Sequence, residues 1–479
     1  MKNFVLKALA LSVIPLSSTI TQANAENAFT EKSNKTNADK PNFIVLLGDD
    51  ISAVSFGCYG SPNSNTSPHI DKLAKEGVMF TNMFVSEAIC APARAELYTG
   101  LQPLRNGCYV NHHQTVKGTK SIVHYLSELG YRVGLSGKTH FSPKSVYPFE
   151  MVDGLPHNCN ARNIGVADWS GIEQFIQKDK DQPFCIFLCS VHAHSPWDSG
   201  DPSSWKMNDI VLPPNLVDTR ETRLHYREYL AEVRLFDDQV GRVQKMMKRL
   251  KLDENTVFIV LDENGTGMPG GKWSNYDWGV RSACLMKWPA SYHMKQQNTK
   301  AIAQYCDIVP TMIDAAGGKT PINIDGKSLM DVISGKEERH RDYAFFTYNS
   351  GPVGPAYPIR AVTDGRYKLI WNLLPDTLFG ARTINGFEFG YKDKMLDRPD
   401  RFIYLSWQEK AKTDDHAKSI VTRYRKRPEY ELYDLDKDPW ELNNLADQED
   451  KSKHLLRLKA VLEKWRKEQG DKGILAEYE

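Results

Sequence analysis

Cys90-Ala91-Pro92-Ala93-Arg94 is the stretch of this chain whose residue types can do chemistry within one helical turn. Proline favours the first turn of a helix, where its missing N–H is not needed. Cys90 is thereby placed at the positive end of a helix, where an anionic group is stabilised. Arg94, four residues on, falls on the same helical face. A cysteine alone is most often a small buried hydrophobe, so the weight rests on its neighbours. Asp49, Asp50, Glu263 and Asn264 add three carboxylates and an amide oxygen. These hard oxygen donors suit Ca²⁺ or Mg²⁺ rather than zinc, and carboxylates crowded together repel one another unless a cation resolves the repulsion. Asp262 is the alternative to Glu263, because neighbouring strand residues point to opposite faces and only one of the two faces such a site.

These residues need a scaffold that brings them to one place. Apolar runs at Phe43–Leu47, Tyr131–Leu135, Phe184–Leu188 and Val257–Leu261 read as buried strands. They end, in turn, at Asp49-Asp50, at Lys138-Thr139-His140, at His192 and His194, and at Asp262-Glu263-Asn264. Helical patterns lie between and after them, at 67–76, 121–129, 223–250 and 301–316. Strands alternating with helices predict a mostly parallel sheet with helices on both faces, and such sheets bind ligands beyond the carboxyl ends of their strands. The fold class is therefore α/β, with a catalytic unit over 41–340. A smaller α+β unit is expected over 341–479: a hairpin at 361–370 turning at Asp364-Gly365, a strand at 430–435 and an amphipathic helix at 449–469. The polar and aromatic insert at 375–427 has weak periodicity and reads as a lid, a substrate-binding loop or a surface excursion.

The run at Cys90 resembles the sulfatase signature Cys-x-Pro-Ser-Arg, with Ala93 where serine is usual. The resemblance extends over nearly all of the chain beyond the leader: Asp49-Asp50, Gly137-Lys138-Thr139-His140, His194-Ser195-Pro196, Glu263-Asn264-Gly265, Gly271-Lys272-Trp273 and, near the end, Glu431-Leu432-Tyr433-Asp434-Leu435 with Asp438-Pro439. It implies an alkaline-phosphatase-like fold, oxidation of Cys90 to formylglycine by a maturation enzyme, and a calcium ion held by Asp49, Asp50, Glu263, Asn264 and the modified Cys90. The family commonly has Asp-Asn where this chain has Glu263-Asn264; calcium sites are flexible enough for the longer side chain.

The reaction so implied is hydrolysis of sulfate esters on a sulfated carbohydrate. A hydroxyl of the hydrated aldehyde attacks sulfur, and Arg94, Lys138 and Lys272 neutralise charge on the sulfuryl oxygens. His194 protonates the leaving alcohol, while His140 helps to expel sulfate. His192 reads as a structural hydrogen-bonding group, and His112 and His113 as subsite residues. Competing readings are a phosphate or phosphonate ester hydrolase, and an unmodified homologue that only binds sulfated glycans.

Lys2 and Lys7, an apolar run at 8–16 and Ala23-Asn24-Ala25 have the layout of a secretory signal peptide over 1–25. That apolar run is too short to span a bilayer. The protein is thus expected to be exported, periplasmic or secreted, with a flexible stretch at 26–40 and no membrane span. The formal net charge of +1 gives no electrostatic footprint for nucleic acid, so an anionic substrate needs a local cationic pocket. The eight cysteines show no paired zinc spacing.

Overall fold

Residues 43–47 are apolar at every position because both faces of their strand are covered. Phe43, Val45 and Leu47 enter one hydrophobic cluster, Ile44 and Leu46 the other, and all five are fully buried. Continuous rather than alternating apolar sequence is what a strand inside a two-sided parallel sheet requires. The computed structural model describes residues 40–162, 164–294, 297–349, 356–391 and 398–473. The leader expected at 1–25, and the following stretch up to residue 39, lie outside the described residues.

Strands β1 (Asn42–Gly48), β2 (Val78–Phe84), β3 (Arg132–Gly137), β4 (Glu150–Met151), β5 (Phe184–Cys189), β6 (Thr256–Asp262), β7 (Arg281–Lys287), β8 (Gln297–Thr299) and β9 (Ala303–Gln304) build one nine-stranded sheet. Its order is β4-β3-β5-β1-β6-β7-β2-β8, with β9 also on β2. Only the β6–β7 and β2–β7 pairs are antiparallel. Gly137 pairs with Cys189, Leu47 with both Cys189 and Leu261, and Gly48 with Asp262. That register brings the carboxyl ends of β3, β5, β1 and β6 level, so the loops leaving these four strands emerge at one rim.

Helices cover both faces. Arg220–Leu250 packs Tyr229, Val233, Phe236 and Val240 against the Ile44/Leu46 side. Ile122–Glu128 and Ile308–Ala315 cover the other. The latter is shorter than the pattern at 301–316 suggests: residues 303–304 pair as β9, and the Asp307 carboxylate accepts from the Gln304 backbone N–H at 2.9 Å, so the helix begins only after that turn. A second sheet, β10 (Ala344–Tyr348), β11 (Ile359–Thr363), β12 (Tyr367–Asn372) and β13 (Tyr430–Asp434), is antiparallel throughout. The β11–β12 turn closes as expected: Gly365 takes a left-handed φ of +91°, and Asp364 accepts from the backbone N–H groups of Arg366 and Tyr367. Helix Ser452–Glu468 lies on this sheet through Leu458, Leu462 and Trp465.

The described part of the insert is folded. It carries helices Arg382–Asn385, Pro399–Lys410 and Asp415–Arg425. Trp407, wholly buried, ties it to the long helix by donating its indole N–H to Thr222 Oγ1 at 2.8 Å.

Candidate active site

Each strand end is pinned to its neighbour by a main-chain bond, which fixes the loops carrying the reactive groups. Asp49 N–H donates to the His192 carbonyl (2.9 Å), Lys138 N–H to the Cys189 carbonyl (3.0 Å), and Glu263 N–H to the Gly48 carbonyl (3.1 Å). Asp50 sits in the left-handed region at φ +56°, a conformation that costs energy in a non-glycine residue and persists only where its surroundings hold it. The buried helix Cys90–Thr99 begins at Cys90 itself, so its free N–H groups open onto the same rim.

The side chains converge there. Cys90 Sγ lies 2.8 Å from Lys272 Nζ and 3.8 Å from one oxygen of each of Asp49 and Asp50. Lys272 Nζ reaches both Asp50 oxygens, at 2.8 and 3.0 Å. Lys138 Nζ lies 2.6 and 2.8 Å from Asp49 and 3.3 Å from Glu263. Arg94 Nη2 contacts Glu263, and Nη1 donates to the Lys138 carbonyl at 2.9 Å. Asp262 turns the other way, onto the Ala283 N–H and the Ser282 hydroxyl of β7, so Glu263 is the acid at this rim.

Three buried carboxylates face three buried cations, and the ionisation states follow from those contacts. Burial resists ionisation of Asp50, but Lys272 holds its carboxyl below the ordinary range. Arg94 and Lys138 likewise keep Glu263 far down against the cost of burial. Burial and the neighbouring Glu263 push Asp49 up, and burial raises the Cys90 thiol. His194 is held down to about 3 and His140 to about 2, by burial first, with Lys138 adding to both. Both imidazoles are neutral at neutral pH.

The residues fit a hard divalent cation. Donor atoms of Asp49, Asp50, Cys90 and Glu263 all lie within 4.8 Å of one another. Asn264 donates its amide N–H to Asp50 (2.8 Å), leaving Oδ1 buried without a partner. Carboxylate repulsion alone does not demand the ion, because Lys138, Lys272 and Arg94 already offset it. The converging donors and the orphaned amide oxygen carry the fit, since a buried acceptor left unpaired is costly.

Above Cys90 opens a cavity of about 220 Å³. Asp50, His112, His140, His194, Lys272 and Trp273 line it on the sheet side. Arg94 and Lys138 are set beneath, against Glu263 and Asp49. His112 lines the cavity and bonds His140 across 2.9 Å, whereas His113 packs edge-on against Tyr109. His192 is buried against Glu232. The far wall, Arg382, Thr383, Arg398 and Asp400, comes from the insert. No local signal marks those four residues; only the insert's aromatic and charged composition points toward them. All eight cysteines are free thiols.

Comparison with known proteins identifies the family. The sequence model of the sulfatase family matches residues 41–318, and that of the C-terminal region of N-sulphoglucosamine sulphohydrolase matches 271–376. An ulvan-active sulfatase of Formosa agariphila is 30% identical over 463 residues, covering 95% of this chain and 86% of the relative. Human N-sulphoglucosamine sulphohydrolase is 25% identical over 478 residues, 91% of each chain. Among solved structures, a protein in complex with its substrate D-glucosamine-2-N,6-O-disulfate aligns with TM-score 0.67 at 18% identity, over 90% of this chain and 99% of that one. The phosphonate monoester hydrolase of Agrobacterium radiobacter aligns with TM-score 0.66 at 17% identity, over 90% and 96%. The fold is thus shared beyond sulfate chemistry, while the sequence likeness places this chain among the sulfuric ester hydrolases: it belongs to the sulfatase family.

Proposed function

We propose that the protein is an exported sulfatase that removes sulfate from a sulfated carbohydrate, with Cys90 oxidised to formylglycine and calcium as its cation. The observation that carries this reading is the position of Cys90. It lies at a helix start, on the floor of a cavity, within reach of Lys272 and both acids of the Asp49-Asp50 pair. Burial raises the pKa of its thiol, which makes it a poor nucleophile as cysteine. The glycan substrate is supported by the relatives, which act on ulvan or on N-sulphoglucosamine.

Asp49, Asp50, Glu263 and Asn264 Oδ1 are the residues that would hold calcium beside the modified Cys90; the ion would polarise a sulfuryl oxygen while the hydrated aldehyde provides the attacking hydroxyl. The remaining work falls to this chain's own groups. Lys272 faces the cavity and grips the sulfuryl oxygens, while Lys138 and Arg94 hold Asp49 and Glu263 in place and add positive field from below. His194 turns Nδ1 toward the carbonyls of Cys159 and Ser195, at 3.1 and 2.7 Å, so its Nε2 faces the cavity side, 3.7 Å from Asp50. A bound sulfuryl anion raises the pKa of His194, and the protonated ring then serves the departing alcohol from Nε2. His140, positioned by His112, takes the proton that accompanies sulfate release.

Two measurements on protein from its native host test this. Mass spectrometry of the Cys90 peptide should find the aldehyde, lighter than the thiol, and ion chromatography should detect sulfate released from sulfated oligosaccharides. Intact cysteine with glycan binding but no release would instead make the chain a binding protein.

A further inference from the structure

The part of the cavity wall built by the insert and the loop after β5 carries polar groups that the reaction does not use. Asp400 is only 2% exposed and Arg398 8%, yet both line the cavity. Arg398 Nε lies 3.3 Å from Asp400 Oδ1, and its Nη2 donates to the Ser195 carbonyl at 3.1 Å. Thr383 supplies Asp400 with a further hydrogen bond. The pair is thus fixed in place by the loop after β5 and by the insert's own helices. The same cavity is lined by Ser195 and Asn111, 1% and 7% exposed, whose Oγ and Oδ1 are buried with no partner.

Orphaned buried polar atoms are rare and costly. Here three of them, Ser195 Oγ, Asn111 Oδ1 and His140 Nδ1, share one cavity with a buried carboxylate–guanidinium pair, and the first two belong to residues the reaction does not use. We propose that Asp400, Arg398, Ser195 and Asn111 form a subsite for the hydroxyl groups of the sugar ring that carries the scissile sulfate. The inference rests on the sulfatase reading and narrows it. A carboxylate accepts from one hydroxyl while the adjacent guanidinium donates to the next, which matches neighbouring hydroxyls on one ring. Ser195 Oγ and Asn111 Oδ1 gain the partners they lack. An aryl sulfate offers no such hydroxyls. Sites built to pair with a ligand's hydroxyls reject analogues lacking them, because their own polar groups are then stranded. The wall therefore discriminates sugar sulfates from simpler esters, and it does so with binding energy gathered away from the sulfur. These are specificity residues: they touch the ring, not the reacting bond.

The test uses the full matured chain, a panel of monosulfated hexoses and hexosamines, and 4-nitrophenyl sulfate as the hydroxyl-free comparator. Calorimetric affinity is measured alongside kcat and KM. Asp400→Asn should weaken binding of the preferred sugar sulfate at least about tenfold, and it should lower kcat/KM on that sugar at least about tenfold more than on the aryl ester, with the change in KM. Ser195→Ala should shift the same ratio in the same direction by a smaller factor. Equal losses on sugar and aryl ester would make the pair a structural support and overturn the proposal, as would unchanged affinity in both variants or no binding of any panel member by the wild type. Asp400-dependent binding without sulfate release would leave the subsite standing and refute the sulfatase reading. Sulfate release with an unchanged sugar-to-aryl ratio would do the reverse.

Discussion

The floor and the far wall of the cavity are built by different means. The floor is a set of strand ends: β1, β3, β5 and β6 finish level, and main-chain bonds between them fix Asp49, Lys138 and Glu263 to within hydrogen-bond tolerance. The wall is a pair of helix starts, at Arg382 and Pro399, from an insert more than a hundred residues further along the chain than β6. Its attachment runs through side chains, Trp407 to Thr222 and Arg398 to the Ser195 carbonyl. A rim of parallel strands is rigid and shared by the fold, so it suits the groups that act on sulfur. A wall held by side chains can change between relatives without disturbing that rim, so it suits recognition of what the sulfate is attached to.

The floor should give the largest response to substitution. Asp50→Asn keeps the shape of the side chain but removes the charge facing Lys272; it should lower kcat/KM by about a thousandfold or more, with circular dichroism unchanged. An activity loss below tenfold would mean that the acid cluster is not the working centre. Removing divalent cations with a chelator should have a comparable effect, reversed by calcium, and a chelated enzyme at full rate would refute the metal reading.

The wall should respond in stability and in affinity rather than in chemistry. Trp407→Ala opens a large void beneath the insert and should destabilise the chain by about 3–5 kcal/mol in denaturant titrations. With saturating substrate at low temperature, its kcat should fall far less than that of Asp50→Asn. A collapse of kcat in both variants would erase the distinction between floor and wall.

A smaller effect belongs to the second sheet, remote from both. Asp471 is bound by Arg360 and Arg466, which hold its carboxyl down to about 2 against the cost of burial. A carboxyl depressed in the folded state contributes stability above its ordinary pKa and loses it as pH falls through the folded value. Its share, about 2 kcal/mol, should disappear between about pH 4 and pH 2. Asp471→Asn should flatten that part of the acid-unfolding curve, and a variant with the wild-type curve would contradict the assignment.

The same contrast decides what the sequence discloses. The floor is legible because Asp49, Lys138 and Glu263 each come just after a strand, and an apolar run such as 257–261 announces its own end. Asp262 and Glu263 cannot be ranked that way: which of two neighbours faces the rim depends on β7 offering Asp262 the Ala283 N–H, a contact that no local pattern encodes. Arg94 and Lys138 are singled out by their spacing, but not their place beneath the cavity, which is set by the packing of Glu263 and Asp49. The helix at 308–315 is shorter than its periodicity because residues 303–304 serve as a strand on β2, a tertiary demand that overrides helical pattern. The wall is least legible. Arg398 and Asp400 acquire meaning only when the insert folds over a strand end about 200 residues earlier.

The proposed function assigns sulfate-ester hydrolysis to the cationic rim around Cys90. The most direct measurement is kcat/KM for 4-nitrophenyl sulfate against 4-nitrophenyl phosphate, using one matured preparation supplied with calcium. Turnover of the sulfate ester should be the faster and should be lost in Cys90→Ala; faster turnover of the phosphate, or sulfate turnover that survives loss of Cys90, would contradict the sulfatase assignment of this site.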